Sequence, residues 1–346
     1  MNGYDYATTS RKGLSGGAAI SPLGLPQKHD LETGIHAMVT VAKSDGLSEM
    51  DESLLEAASR YLADSEFDWK KVADHPAGRK LLPLGSEVAR RCALFLMTAA
   101  IFAKGKVQLP RVEATLSIAT ALGCHDGFLD DLHYIARGRE FIGGIRIKAK
   151  LMGSHGTSPI QVAKGFWDNM SGYLGISTDP VLAASYQKLG LLESKSLGRE
   201  LWAHYVRNGL RFPGEKGTTG EFIVPHDVAH VLSAYSTEPP GEILAGAFSA
   251  GYKARNPFAP LLLVLLQFQA GIKIDFRSEV TISQLDPAGY MDAFRRGLEC
   301  NTDPTFGSWD WRLYSEEAVA EIREKLTIPP QAAPAVQGGT SGLRRC

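Results

Sequence analysis

Apolar residues recur along this chain at helical spacing. Ile35, Met38, Val39 and Ala42 share one helical face, and Leu54, Leu55, Ala58, Tyr61 and Leu62 share another. From Ser86 to Ala103 the chain is apolar nearly all round, which predicts a buried helix rather than an amphipathic one. A further helix is predicted from Pro110, a favoured first-turn residue, to Leu122, with Gly123 as its stop. Leu197, Leu201, Trp202, Tyr205 and Val206 mark another, ended by Gly209. No strand-rich pattern with regular hairpin turns occurs, so the expected fold class is all-α.

Glycine and proline punctuate this pattern. Residues 1–28 carry Gly13, Gly16, Gly17, Pro22, Gly24 and Pro26 and read as a flexible leader. Residues 329–346, with Pro329, Pro330, Pro334, Gly338 and Gly339, read as a disordered tail. Gly143, Gly144, Gly153 and Gly156, with basic residues between them, mark a boundary, so two helical domains are expected, over residues 29–142 and 155–328. A long loop is expected where Gly209, Pro213, Gly214, Gly217 and Gly220 cluster.

Composition narrows the function classes. The 346 residues fit two domains at about 150 residues each. Hydrophobic residues make up 44%, which excludes a wholly disordered chain. With 37 basic and 38 acidic residues the formal charge is -1, so there is no broad basic footprint and no nucleic-acid partner is expected. Cys92, Cys124, Cys300 and Cys346 lie far apart without a C-x-x-C pair, which argues against a disulfide scaffold or a thiolate zinc site and suits a reducing compartment. The N-terminus lacks the apolar core of a secretory signal. The most apolar run, Phe258 to Phe268, has eleven residues against the about 20 that a bilayer needs, so no membrane span is expected.

The chemistry concentrates in Pro225-His226-Asp227-Val228-Ala229-His230, followed after eleven residues by Glu242. At about 100° per residue, His226, Asp227 and His230 fall at roughly 0°, 100° and 40°, inside one fan. Two imidazoles at i and i+4 on a helix form a good metal pair. Pro239-Pro240-Gly241 makes a turn, and Glu242 opens the next helix, where the dipole favours a carboxylate. A tight hairpin brings Glu242 within about 6 to 9 Å of His230 along the axis, at 1.5 Å per residue. The expected ligands are His226, Asp227, His230 and Glu242, with Asp227 alternatively a proton acceptor. Zinc is the first expectation for a set of two histidines and two carboxylates, ahead of manganese, iron or magnesium.

Two resemblances extend this reading. Ile35 to Gly46, ending in Ala42-Lys43-Ser44-Asp45-Gly46 before the acidic start Glu49 to Glu52, is weakly repeated by Ala99 to Gly105 before Pro110 and Glu113. This resembles the tellurite-resistance TerB-like helical domain over about residues 30–140, whose acidic residues can surround a divalent cation. The resemblance implies that part for Asp45 with Asp51 or Glu52, although Lys104 replaces the second aspartate.

The pattern His-Asp-x-x-His-x11-Glu resembles the signature of the Coq-four family of ubiquinone (coenzyme Q) biosynthesis, as do Ser196-Leu197-Gly198-Arg199-Glu200-Leu201, Gly241-Glu242-Ile243, and the stretch from Arg295-Arg296-Gly297 through Trp309-Asp310-Trp311 to Ile322–Ile328. The likeness spans about residues 155–328. It implies metal ligands at His226, Asp227, His230 and Glu242 beside a groove for a prenylated quinone precursor, and an association with oxidative decarboxylation at ring carbon C1. It also implies other quinone-biosynthesis proteins and a membrane surface as partners, with a homodimer allowed. The implied location is cytoplasmic and peripheral to the membrane, or the matrix side of the mitochondrial inner membrane in a eukaryote. Leu261 to Leu266 either lines the groove or forms a core helix. The competing expectations are a non-catalytic scaffold for lipid-biosynthesis enzymes and a zincin-like metallohydrolase, against which stands the shorter Asp227 in place of a general-base glutamate.

Overall fold

The computed structural model describes residues 24–63, 68–70, 83–153, 178–218, 220–274, 279–305 and 309–333. Thirteen helices and no strand occur among them, so the fold is all-α. In the first half these are α1 (Lys28–Lys43), α2 (Glu49–Tyr61), α3 (Glu87–Phe102), α4 (Leu109–Ala121), α5 (Phe128–Ala136) and α6 (Glu140–Gly153). In the second they are α7 (Pro180–Lys188), α8 (Leu197–Arg207), α9 (Val224–Ser233), α10 (Pro239–Tyr252), α11 (Phe258–Val264), α12 (Pro287–Glu299) and α13 (Val319–Lys325). No described helix is long and apolar enough to cross a membrane. Most of the expected leader and tail lie outside the described residues.

Local chemistry sets the helix ends. Ser48 and Asp51 form a reciprocal capping box at α2, satisfying backbone donors that the first turn leaves free. The side chains of Ser86, Asp179, Ser196 and Asp286 accept first-turn N–H groups of α3, α7, α8 and α12. Gly123 and Gly209 sit at φ +65° and +62° just beyond α4 and α8, where the left-handed exit favours glycine. Helix α3 is buried from Cys92 through Phe102 on every face, as its unbroken apolar run requires.

The core runs continuously from the first half of the chain into the second. α1 packs on α3, α10 on α12, and α12 also lies against α2. The ring of Phe95 in α3 stacks on Tyr290 and Phe294 of α12, with centroids 4.4 and 3.7 Å apart. Phe128 in α5 meets Phe258 in α11 at 4.9 Å. The buried Arg91 donates to the Gly251 carbonyl at 2.8 Å, and Gln269 to the Phe102 carbonyl at 3.1 Å. Leu261, Leu262, Val264, Leu265 and Leu266 are all buried, and the run turns from α11 into a π-helical segment, Leu265–Gln269. Of the two readings of this run, the core helix is the one its burial shows.

Two glycine-rich features have packing causes. Gly143 and Gly144, expected in an interdomain boundary, lie inside α6. A Cβ on Gly143 would collide with Ile135 and the Asp131 carbonyl, and one on Gly144 would press on Ile274, so here glycine permits close helix approach. The remainder of that expected boundary, from 154 onward, lies outside the described residues. At the crossing of α10 and α12, Gly251 and Gly297 meet backbone to backbone: a Cβ on Gly251 would lie 2.6 Å from Gly297 atoms, and one on Gly297 would strike the Phe248 carbonyl. Backbone cannot rotate aside as a side chain can. Gly297→Val is therefore expected to cost about 3 kcal/mol, the upper end for overpacking. Urea unfolding measures this, and a loss below about 0.5 kcal/mol, the level of an ordinary surface substitution, would show that the crossing is not tight.

Candidate metal centre

The hairpin formed by α9 and α10 positions the site. Pro225 falls in the first turn of α9, where its fixed φ suits helix and its missing N–H is not needed. His226 and His230 follow one turn apart on the same face. The helix stops at Ala234, which adopts φ +61° and caps it. Two arginines then take up the free carbonyls of its last turn: the half-buried Arg323 donates to Val231 and Leu232, and the buried Arg296 to Ser233. Gly241 makes the return possible, because a Cβ there would collide with the Ser236 carbonyl and hydroxyl. Glu242 thus enters the first turn of α10 facing α9.

Among the described residues, one group of metal-ligating side chains has its ligand atoms within 4.8 Å of one another: His226, His230 and Glu242. His226 Nε2 lies 3.0 Å from His230 Nε2 and 3.2 Å from Glu242 Oε2, and His230 Nε2 lies 3.5 Å from Glu242 Oε1. The Glu242 side chain thus spans the axial gap that the hairpin leaves between it and His230. The His226 side chain retains 29% exposure and that of His230 only 1%, so access is from the His226 side. His230 Nδ1 lies 3.1 Å from the Tyr235 carbonyl, which can only accept. That contact places the proton on Nδ1 and leaves the Nε2 lone pair toward the cluster, the usual orientation of a metal-binding histidine.

Asp227, expected as a fourth ligand or proton acceptor, lies outside this group. Its side chain turns toward α8, where Oδ2 accepts the Tyr205 hydroxyl at 2.5 Å and Oδ1 lies 3.8 Å from His204 Nε2. The 100° step from His226 points Asp227 to the neighbouring helix rather than into a fan shared with the histidines.

The two carboxylates are driven in opposite directions. Burial alone would raise Glu242, but the facing His230 and His226 outweigh it and hold the carboxyl below its ordinary range. For Asp227, burial outweighs the attraction of His226 and the Tyr205 hydrogen bond, and its pKa rises. Burial opposes charge on His230, yet Glu242 raises it overall. His204 is pushed down to about 4, first by burial and then by the charges of His230 and His226.

Sequence reading passed over His204 and Tyr205 as chemical groups. A signal was present: with Leu197 and Leu201, positions 204 and 205 complete the apolar face of α8, and a histidine on such a face is an exception to be explained.

The second expected cation site is filled by the protein's own cations. Asp51 takes Arg111 Nη1 and Nη2 at 2.8 and 2.9 Å, and Asp45 Oδ1 takes Arg111 Nε at 2.6 Å and Lys104 Nζ at 3.0 Å. Glu52 is exposed. A guanidinium and an ammonium already neutralise these acids, and a divalent ion would be repelled by both.

Comparison of the chain with protein-family models and with curated protein sequences returns no match, so the chemistry is read from the side chains themselves.

Proposed function

We propose that the chain is a metal-binding protein whose centre is His226, His230 and Glu242, and that the centre serves the metabolism of a prenylated quinone precursor. The observation that carries the metal reading is the convergence of three ligand atoms, one of them on an imidazole already oriented by the Tyr235 carbonyl. Two histidines and one carboxylate suit zinc, which in open sites takes three protein ligands and keeps one position for water or substrate. Iron(II) is the alternative for the same donor set. A bound dication at this place would polarise an oxygen of a substrate entering from the exposed His226 side. The quinone part of the reading is supported by the spacing His-Asp-x-x-His-x11-Glu and its resemblance to the Coq-four signature.

Metal analysis of the purified chain tests the centre. About one equivalent of a divalent metal is expected in the wild type, and His226→Ala should lose it. Unchanged metal in that variant would refute the assignment. Mass spectrometry of a solvent extract tests the substrate class, with a prenylated aromatic lipid as the expected finding; extracts free of any such lipid, from protein expressed in its native host, would remove the quinone part.

A further inference from the structure

His204 is 94% buried, and its Nε2 has no hydrogen-bond partner among the described residues. Its proton position follows from its neighbours. Asn208 Nδ2 donates to the His204 carbonyl at 2.8 Å and lies 3.5 Å from His204 Nδ1, while Asn208 Oδ1 accepts the Thr237 hydroxyl at 2.9 Å. An amide nitrogen facing Nδ1 makes that atom the acceptor, so the N–H is on Nε2. Asp227 Oδ1 lies 3.8 Å from it, and the other oxygen of Asp227 already holds Tyr205. The His204 ring also stacks on the candidate ligand His230, with centroids 5.7 Å apart. Consecutive residues of α8 thus address the two oxygens of one buried carboxylate beside the centre. A buried N–H left unmade is costly, and a shift of under 1 Å would close this one.

The geometry points to His204 as a positioning residue of the metal centre, acting through Asp227. With Tyr205 it would fix the Asp227 side chain, next in sequence to His226, toward α8 and outside the His226, His230 and Glu242 group that would hold the cation. This rests on the metal reading above. Residues that orient a metal site in this way typically govern affinity by about 10- to 100-fold.

Cobalt(II) affinity, measured by chelator competition on the full chain, tests it. His204→Phe keeps a ring against His230 but has no N–H, and should weaken cobalt(II) binding about 10-fold or more. His204→Gln, which restores an N–H donor, should recover most of that loss. In an Asp227→Leu background His204→Phe should have no further effect, since its partner is gone. An equal loss in both backgrounds, or no loss in the wild-type background, would overturn the role. Should His204→Phe fail to fold, His204→Leu replaces it in both backgrounds, with the same loss expected only where Asp227 is present, and an equal loss in both or no loss overturning the role. Absence of cobalt(II) uptake by the wild type would remove the metal reading and this role together, whereas uptake with an uncoupled cycle removes only this role.

Discussion

Arg111→Met is expected to cost about 3–5 kcal/mol of folding stability, the range for breaking a buried ion pair by removing one partner. Arg111 has no exposed surface, and neither does Asp51. Its guanidinium bridges α4 to the start of α2 through Asp51 and to the α1–α2 turn through Asp45 and the Gly46 carbonyl. It also donates to the Ala100 carbonyl near the end of α3. Methionine fills similar space but leaves Asp51 buried without its countercharge. Chemical denaturation followed by circular dichroism measures the loss, and a change under about 1 kcal/mol would show that the carboxylates relax to solvent.

The same network gives an acid signature. Burial would raise Asp45, but hydrogen bonds and charge from Arg111 and Lys104 outweigh it and depress its pKa below 3.8. A carboxylate depressed in the folded state contributes stability that is complete above its unfolded value and is lost as pH falls through the folded one. The wild type should therefore lose stability below about pH 4 more steeply than Arg111→Met, in which Asp45 keeps only Lys104.

The second large effect concerns the centre. His230→Ala should weaken zinc binding by more than about 100-fold, beyond the range of residues that only orient a ligand. Because a metal that binds only the folded state stabilises it, zinc at 100 times its dissociation constant should add about 2.7 kcal/mol to the wild type. Thermal unfolding with zinc and with a chelator should then differ for the wild type and coincide for His230→Ala and Glu242→Gln. Equal zinc stabilisation in all three proteins would place the ion elsewhere. Acidification should also release the metal, since imidazole must be neutral to ligate.

What the sequence made legible was local. The stop at Gly123, the all-round burial of α3 and the hairpin returning Glu242 to His230 all follow from residues near one another in the chain. What it hid was set by distant packing. Arg111 lies 60 residues from Asp51, so the two acids read as free to take a metal ion. Gly144 read as part of a boundary because the residue its missing Cβ would press on, Ile274, lies 130 positions along the chain. Asp227 shares the helix with the two histidines, but Tyr205 and His204 on α8 decide where its carboxylate turns.

Crystals grown with zinc and measured on either side of the zinc absorption edge locate the ion. One anomalous peak is expected at about 2.0–2.2 Å from His226 Nε2, His230 Nε2 and an oxygen of Glu242. A peak at other residues, or these three side chains found apart with none between them, would contradict the proposed centre.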